Sequence, residues 1–257
     1  AGGYQRVGHV GADEPCASGY TDGPRSHVVT PSDAAIEALA PLERGFYQRP
    51  TETVAEELLG KLLVRRLPEG LVALRLCEIE AYLGVDDPAC HTFGGRRTPR
   101  TEVMWGEAGH LYVYFTYGMH FCANVVTSGP GEPEAALLRG GVVLAGVGLV
   151  ERRRGRRDRR GWLDGPGRLC RGLGLGRAEN GADLTVGGAI WLADDGVRVP
   201  SGSVVRGPRV GVAYAGEAAG WPLRFRVEPD GPVERDRAEQ ALAQGAHDPL
   251  EVGGSGE

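Results

Sequence analysis

The run CEIEAYLG at 77–84 sets two carboxylates, Glu78 and Glu80, and an aromatic, Tyr82, at alternate positions of an otherwise apolar stretch. Side chains alternate along a strand, so this spacing places Val72, Leu74, Leu76, Glu78, Glu80 and Tyr82 on one face. A carboxylate on an apolar face is either paired structurally or retained for acid–base work, and the strand by itself leaves both readings open. Its company is informative. HTFGGRRTPR (91–100), FTYGMHFCANV (115–125) and EAALLRG (134–140) bring aromatics, an amide and arginines from separate segments. Aromatic faces interleaved with arginine suit an unstacked base with its neighbouring phosphates gripped beside it. Tyr112 and Tyr114 alone would sooner be read as core.

Other chemistries find less support. His91, His110 and His120 show neither HxxxH nor His–Cys ligand spacing, so no metal is expected. Ser128 and Ser201 lack a nucleophile elbow, and Cys90 beside His91 is weak evidence for a thiol nucleophile. GPGRLCRGLGLG (165–176) fits neither a phosphate loop nor a dinucleotide fingerprint, and no cofactor is expected.

Charge is divided along the chain. The formal net charge is -5, yet residues 95–177 hold fourteen Arg against seven acids, a local +7. The flanks are acidic: residues 1–44 carry three Arg against six acids, and residues 228–257 two Arg against eight acids. A basic middle offers a phosphate-binding surface, although RRRGRRDRR (152–160) reads equally as a solvated face. Lys61 is the only lysine. Five cysteines without a CxxC pair predict reduced thiols and a cytoplasmic location. No run of about 18 apolar residues predicts a membrane span, and the N-terminal stretch lacks the apolar region of a signal peptide.

These residues must be positioned by elements that the pattern also suggests. Residues 1–44 read as a disordered arm, and 228–257 as an acidic, loosely ordered tail despite a helix-capable RAEQALAQ. TVAEELLG (53–60) predicts a helix with Thr53 and Glu56 as a capping box and Gly60 as its stop. LLVRRL, then PEG, then LVALRLCEIEAYLG predicts strand, turn, strand. HLYVYFTYGMHFCANVVTS (110–128) predicts two strands around Tyr117-Gly118-Met119, and EAALLRG a short strand on which Leu137 and Arg139 share a face. VLAGVGLVERRRGRR predicts a helix, and AIWLAD, VVRGPRVGVAYAG and PLRFRVE further strands. The expected fold is α+β: a single domain over 45–227 with a mainly antiparallel, curved sheet, flanking helices and a protruding hairpin.

Together, CEIEAYLG, H-x-x-GGR-x-TPR (His91 to Arg100), LYVYFTYGM (111–119), FCANV, ALLR, GPGRLC and PRVGVAYAGE resemble the single-domain alkyladenine (3-methyladenine) DNA glycosylases, which differ in fold from the helix-hairpin-helix type. The resemblance runs in order from about Phe46 to Val227.

The resemblance implies a monofunctional base-excision repair enzyme. Such an enzyme flips alkylated or deaminated purines (3-methyladenine, 7-methylguanine, hypoxanthine, ethenoadenine) from duplex DNA and hydrolyses the N-glycosidic bond without strand cleavage. By this likeness Glu80 is the general base, and Arg139 and the carbonyl of Val210 hold the water. Tyr82, His91 and Tyr114 sandwich the base, and Asn124 crowds a purine 2-amino group. Tyr117 wedges into the duplex, and Arg96, Thr98, Arg100 and Arg168 contact phosphates. The partner is double-stranded DNA, the protein a monomer, and its place the cytoplasm, on the nucleoid in a bacterium or in the nucleus of a eukaryote. Departures from the mammalian pattern at His120, Gly167-Arg168 and Ala218-Ala219-Gly220-Trp221 bear on DNA affinity and lesion range. Glu78 receives no role. The alternative is a non-catalytic nucleic-acid-binding domain of the same fold.

Overall fold

The computed structural model describes residues 31–155, 161–227 and the backbone of 234–235. At its centre lies β2 (Gly70–Tyr82), buried without a break from Val72 to Ala81. A strand buried on both faces needs partners at both edges and cover above and below. Its edges are taken by β1 (Leu62–Leu67) and β5 (Glu134–Ala145), and beyond β1 by β9 (Arg224–Val227). Outside these lie β3 (Leu111–Thr116), β4 (His120–Thr127), β6 (Ile190–Ala193) and β8 (Val204–Gly207). The order β3-β4-β5-β2-β1-β6, with β9 on β2 and β8 on β9, makes an open sheet whose pairings are all antiparallel. A separate two-stranded pairing joins β7 (Val197–Arg198) to β10 (Glu234–Arg235).

Three helices cover one sheet face. Val54 and Ala55 of α3 (Thr51–Glu57), Leu149 and Val150 of α4 (Val147–Arg154), and Leu169 and Leu173 of α5 (Pro166–Leu173) pack with Leu63, Leu74, Ile79 and Leu138 into the main core. On the other face α1 (Asp33–Glu37) buries Ile36 against Leu62, Val64 and Trp191. Between α1 and α3, α2 (Arg44–Tyr47) places Tyr47 in the main core.

The single shared face expected for β2 is interrupted. Val72, Leu74 and Leu76 lie in the main core, and so do Cys77, Ile79 and Ala81. Leu76 pairs with Gly141 and Glu78 with Gly140, so Cys77 is an extra residue that reverses the alternation. Glu78, Glu80 and Tyr82 still share a face, but it is the face opposite Leu74 and Leu76. A second slip, between Glu78↔Gly140 and Ile79↔Leu138, leaves Arg139 as the bulged residue of β5. Close approach demands glycine beside it, since a Cβ on Gly141 would meet the Arg75 carbonyl at 2.8 Å and the Leu74 side chain at 2.5 Å.

Further boundaries differ from expectation. Ordered chain begins before Phe46: Ser32 caps α1 by accepting from the Ala35 N–H, and Pro41 bridges Ala193. Helix α3 starts at Thr51 with Pro50 as N-cap, so the Thr53 capping box does not form; the fixed φ of proline already sets the entry. The sequence expected as one helix from 143 divides, with β5 running to Ala145 and α4 starting after Gly146 at φ 73°. GPGRLCRG, expected only as a Gly-rich piece, forms α5 because Pro166 occupies its first turn and Gly174 ends it in the left-handed region. VVRGPRVGVAYAG keeps only its first residues as strand, since Pro208 cannot continue the ladder. Cys90, Cys122 and Cys170 are free thiols, as expected for these three. Among the described residues no helix is long and apolar enough to cross a membrane. The 156–160 part of the arginine run and RAEQALAQ lie outside the described residues.

Candidate active site

The sheet face opposite the main core carries the polar cluster. Strand parity brings Tyr112 and Tyr114 of β3, Cys122 and Asn124 of β4, Arg139 of β5 and Glu78, Glu80 and Tyr82 of β2 away from the core residues that alternate with them. Glu80 is wholly inaccessible. Its Oε1 accepts from the Val210 N–H at 2.8 Å and lies 3.3 Å from Arg139 Nε, and its Oε2 accepts from the Tyr82 hydroxyl at 3.0 Å. Burial pushes this carboxyl above its ordinary range, against the opposing pull of Arg139, the Val210 N–H and the Tyr82 hydroxyl. A carboxylate has about four acceptor sites, so these donors leave room for a proton from a water.

Glu78 acquires a place here. Its Oε1 accepts from Arg139 Nε at 2.8 Å and from Arg224 Nε at 2.7 Å. The bulge at Arg139 lets one guanidinium face both acids, and Glu78 compensates the cations that flank Glu80. Arg224, opposite Glu80 in the β9 ladder, was not singled out from sequence; its only signal was its strand.

Beside Glu80 opens a pocket whose lining includes all four residues expected to bind a base: Tyr82, His91, Tyr114 and Asn124. His91 Nδ1 shares a hydrogen bond of 2.9 Å with the Tyr112 hydroxyl, and its ring meets Tyr114 edge-to-face at 4.6 Å. Burial, aided by Arg100 and Arg96, lowers the His91 pKa to about 4, so the imidazole is neutral at physiological pH. Burial pushes the Tyr112 hydroxyl up to about 12. Asn124 is held by donation from its Nδ2 to the Tyr112 carbonyl at 3.1 Å. Tyr112, Met104, Ala135 and Tyr214, with Ala89 and Cys90, complete walls that sequence reasoning missed. Tyr112 was legible by parity with Tyr114, whereas Tyr214, whose hydroxyl donates to the Ala89 carbonyl at 3.0 Å, comes from a remote 3₁₀ segment.

Val210 is brought to Glu80 through its N–H rather than the carbonyl that the resemblance singled out. Its neighbour Arg209, also missed, forms a buried ion pair with Asp87 and lies 4.7 Å from the Tyr82 ring centroid. The two strands β3 and β4 meet in a tight turn where Met119 N–H donates to the Thr116 carbonyl at 3.2 Å. Tyr117 and Gly118 take φ of 50° and 67°, the paired positive values of a type I′ turn. Tyr117 is 82 % exposed at that tip. A bulky non-glycine residue in this region is strained, and such strain clusters at functional positions.

The residues expected to contact phosphates lie outside the pocket lining. Arg96 and Arg100 are exposed and close enough to depress His91, and the Arg100 guanidinium sits 4.9 Å from the Tyr114 ring centroid. The Thr98 hydroxyl is engaged with Thr101 at 3.2 Å, and Arg168 stands exposed on α5. Lys61 is away from this pocket, its Nζ donating to Asp194 at 2.6 Å. Among the described residues no group of three or more His, Cys, Asp or Glu side chains could hold a metal ion.

Comparison with known proteins gives a consistent result. The methylpurine-DNA glycosylase family matches residues 45–230. A protein of Methanocella arvoryzae, provisionally named 3-methyladenine DNA glycosylase, is 47% identical over 185 residues, covering 72% of this chain and 90% of its own. Proteins bearing the same provisional name in Streptomyces avermitilis and Myxococcus xanthus are 43% and 45% identical over 201 and 186 residues. Those alignments cover 77% and 72% of this chain and 92% and 89% of the relatives.

Proposed function

The chain belongs to the methylpurine-DNA glycosylase family, and on that premise we propose that it excises alkylated or deaminated purines from duplex DNA by a single hydrolytic step based on Glu80. The observation that carries this reading is the Glu80 carboxyl. It is wholly buried, lifted in pKa by that burial, and bordered by a pocket of aromatic side chains. A general base is most effective when its pKa approaches the working pH, and burial moves Glu80 in that direction.

In the proposed step the purine is extruded from the stack and received by Tyr82, His91 and Tyr114. Glu80 takes a proton from water as the oxygen bonds to the sugar anomeric carbon, while the N-glycosidic bond breaks and its electron pair leaves with the base. Arg139 and Val210 hold the water and the carboxylate. The products are the free base and an abasic sugar. A base that is cationic when bound, such as 3-methyladenine or 7-methylguanine, leaves as a neutral molecule and requires no acid. Hypoxanthine and ethenoadenine are neutral, so they leave as anions that take up a proton from solvent water. Neutral His91 adds no charge to oppose a cationic base, whose stacking on aromatic faces is favoured by roughly 0.5–2 kcal/mol. Asn124 disfavours a purine 2-amino group.

Tyr117 fills the space the base vacates, a role supported by its exposure at the strained hairpin tip. Arg96, Arg100, Arg168 and Thr98 grip the backbone around it. Strand cleavage through a Schiff base would need a free amine, and the only lysine is paired with Asp194 outside the pocket. The protein is proposed to act as a monomer.

The test is incubation with duplexes bearing one hypoxanthine, ethenoadenine or 7-methylguanine and with an undamaged duplex. Free base from the damaged duplexes with an intact backbone is expected, and borohydride should trap no protein–DNA adduct. Tight binding without base release would favour the non-catalytic alternative, and a trapped adduct would overturn the single-step reading.

A further inference from the structure

Arg209 and Asp87 form an ion pair in which both side chains are wholly inaccessible. A buried pair is weak evidence of stability, because desolvation can cancel its attraction. Its connections are more telling. Arg209 Nη2 donates to Asp87 Oδ1 at 2.8 Å and to the Ala218 carbonyl at 3.4 Å, while Nη1 reaches Asp87 Oδ2 and the Ala81 carbonyl, the latter at 3.0 Å. Asp87 in turn accepts from the Leu83 N–H at 3.1 Å and the Ala89 N–H at 2.9 Å. One pair therefore ties together the end of β2, the loop that leads to His91, and the segment that follows Val210. Two consequences fall on the site. The guanidinium covers one face of the Tyr82 ring, leaving another for the pocket, and the adjacent Val210 N–H is aimed at Glu80 Oε1 at 2.8 Å.

We infer that Arg209 and Asp87 are positioning residues that fix the Val210 N–H on Glu80 and the Tyr82 ring in the pocket wall. The inference rests on the reading of Glu80 as the base. The groups facing Glu80 are Glu78 and Tyr82 from its own strand, Arg139 from β5, Cys122 from β4 and Arg209 from the 208–212 loop. Neutralising the pair removes a cation and its adjacent anion together, so their effects on Glu80 largely offset, and the change that remains is the loosened Val210 N–H donor, whose loss disfavours the ionised carboxylate.

The experiment uses Arg209→Gln/Asp87→Asn, which keeps hydrogen-bonding side chains and leaves no lone buried charge. Two readouts are compared with wild type: the titration of the Glu80 carboxyl in DNA-free protein by carbon NMR, and single-turnover release of hypoxanthine. The Glu80 titration should move to higher pH, and release should slow by about 10²-fold, the order expected for an ångström-scale misplacement, with its acid limb displaced the same way. A folded double variant with wild-type titration and rate would overturn the inference, even if it melts at lower temperature. Should it fail to fold, Arg209→Lys replaces it, retaining the cation but not the fork that spans Asp87, Ala81 and Ala218. The same shifts, smaller in size, are then expected, and wild-type values would again overturn the inference. Failure of wild type to release any damaged base would contradict the glycosylase reading instead, and the NMR titration would still decide the role of the pair.

Discussion

Glu80 is caught between burial, which resists its charge, and three donors that favour it, and burial dominates. Because the folded-state pKa is raised above the ordinary 4.5, at pH values between the two the native protein holds a proton that the unfolded chain has released. Its contribution to stability is therefore full below 4.5 and is lost as pH rises through the raised value. Glu80→Gln removes that dependence. Thermal melts at several pH values should show Glu80→Gln gaining on wild type as pH rises above 4.5, and a constant difference would show that the carboxyl is not perturbed. His91 has the opposite sign. With its pKa lowered from 6.5 to about 4, it contributes stability that is full above 6.5 and lost as pH falls toward 4. His91→Gln should melt closer to wild type at pH 4 than at pH 7, and a gap that widens on acidification would contradict a neutral imidazole. Much of this was legible in the order of residues: Glu80 and Tyr82 alternate on a strand, and they do meet at 3.0 Å. Glu78 was not, because its partners Arg139 and Arg224 lie on two other strands and no local spacing announces them.

Elements carry the next level of control. The hairpin of β3 and β4 was readable from Tyr117-Gly118, since a glycine at that point permits the reversal. The positive φ of Tyr117 itself was hidden, because its residue type argues against it. Tyr117→Gly should relieve this strain and stabilise the fold by about 1 kcal/mol, while weakening discrimination between lesion and intact duplex. A destabilised variant would contradict the strain at Tyr117, and unchanged discrimination would contradict the wedge assignment. The bulges of β2 and β5 were equally hidden. Alternation predicts one face for Leu76 and Glu80, and only the ladder reveals that Cys77 and Arg139 are bulged residues. Gly141 leaves no room for a Cβ against Leu74 and the Arg75 carbonyl, and Gly141→Ala should cost about 1–3 kcal/mol in a denaturant titration. A neutral outcome there would mean that the strands part easily and that the bulge does not fix Arg139.

At the scale of the molecule, a net charge of -5 conceals an arginine-rich middle, and Arg96, Arg100 and Arg168 stand exposed on the described surface. If Arg168 neutralises one phosphate, Arg168→Gln should weaken lesion and intact duplex about equally and reduce the logarithmic salt slope by about 0.9. A selective loss of lesion binding would move Arg168 from the backbone to the base. The antiparallel sheet and its single-domain setting followed from alternating apolar runs, whereas α5 and the 208–220 segment did not, being punctuated by Gly and Pro. That segment delivers Val210 and Arg209 to the site from over a hundred residues away, a proximity that only the folded chain reveals. The role of Glu80 as the base is tested most directly by single-turnover release of hypoxanthine from one defined duplex by wild type and by Glu80→Gln. Release by wild type and a loss of at least roughly 10²-fold in the variant are predicted; equal release by both would remove Glu80 as the base.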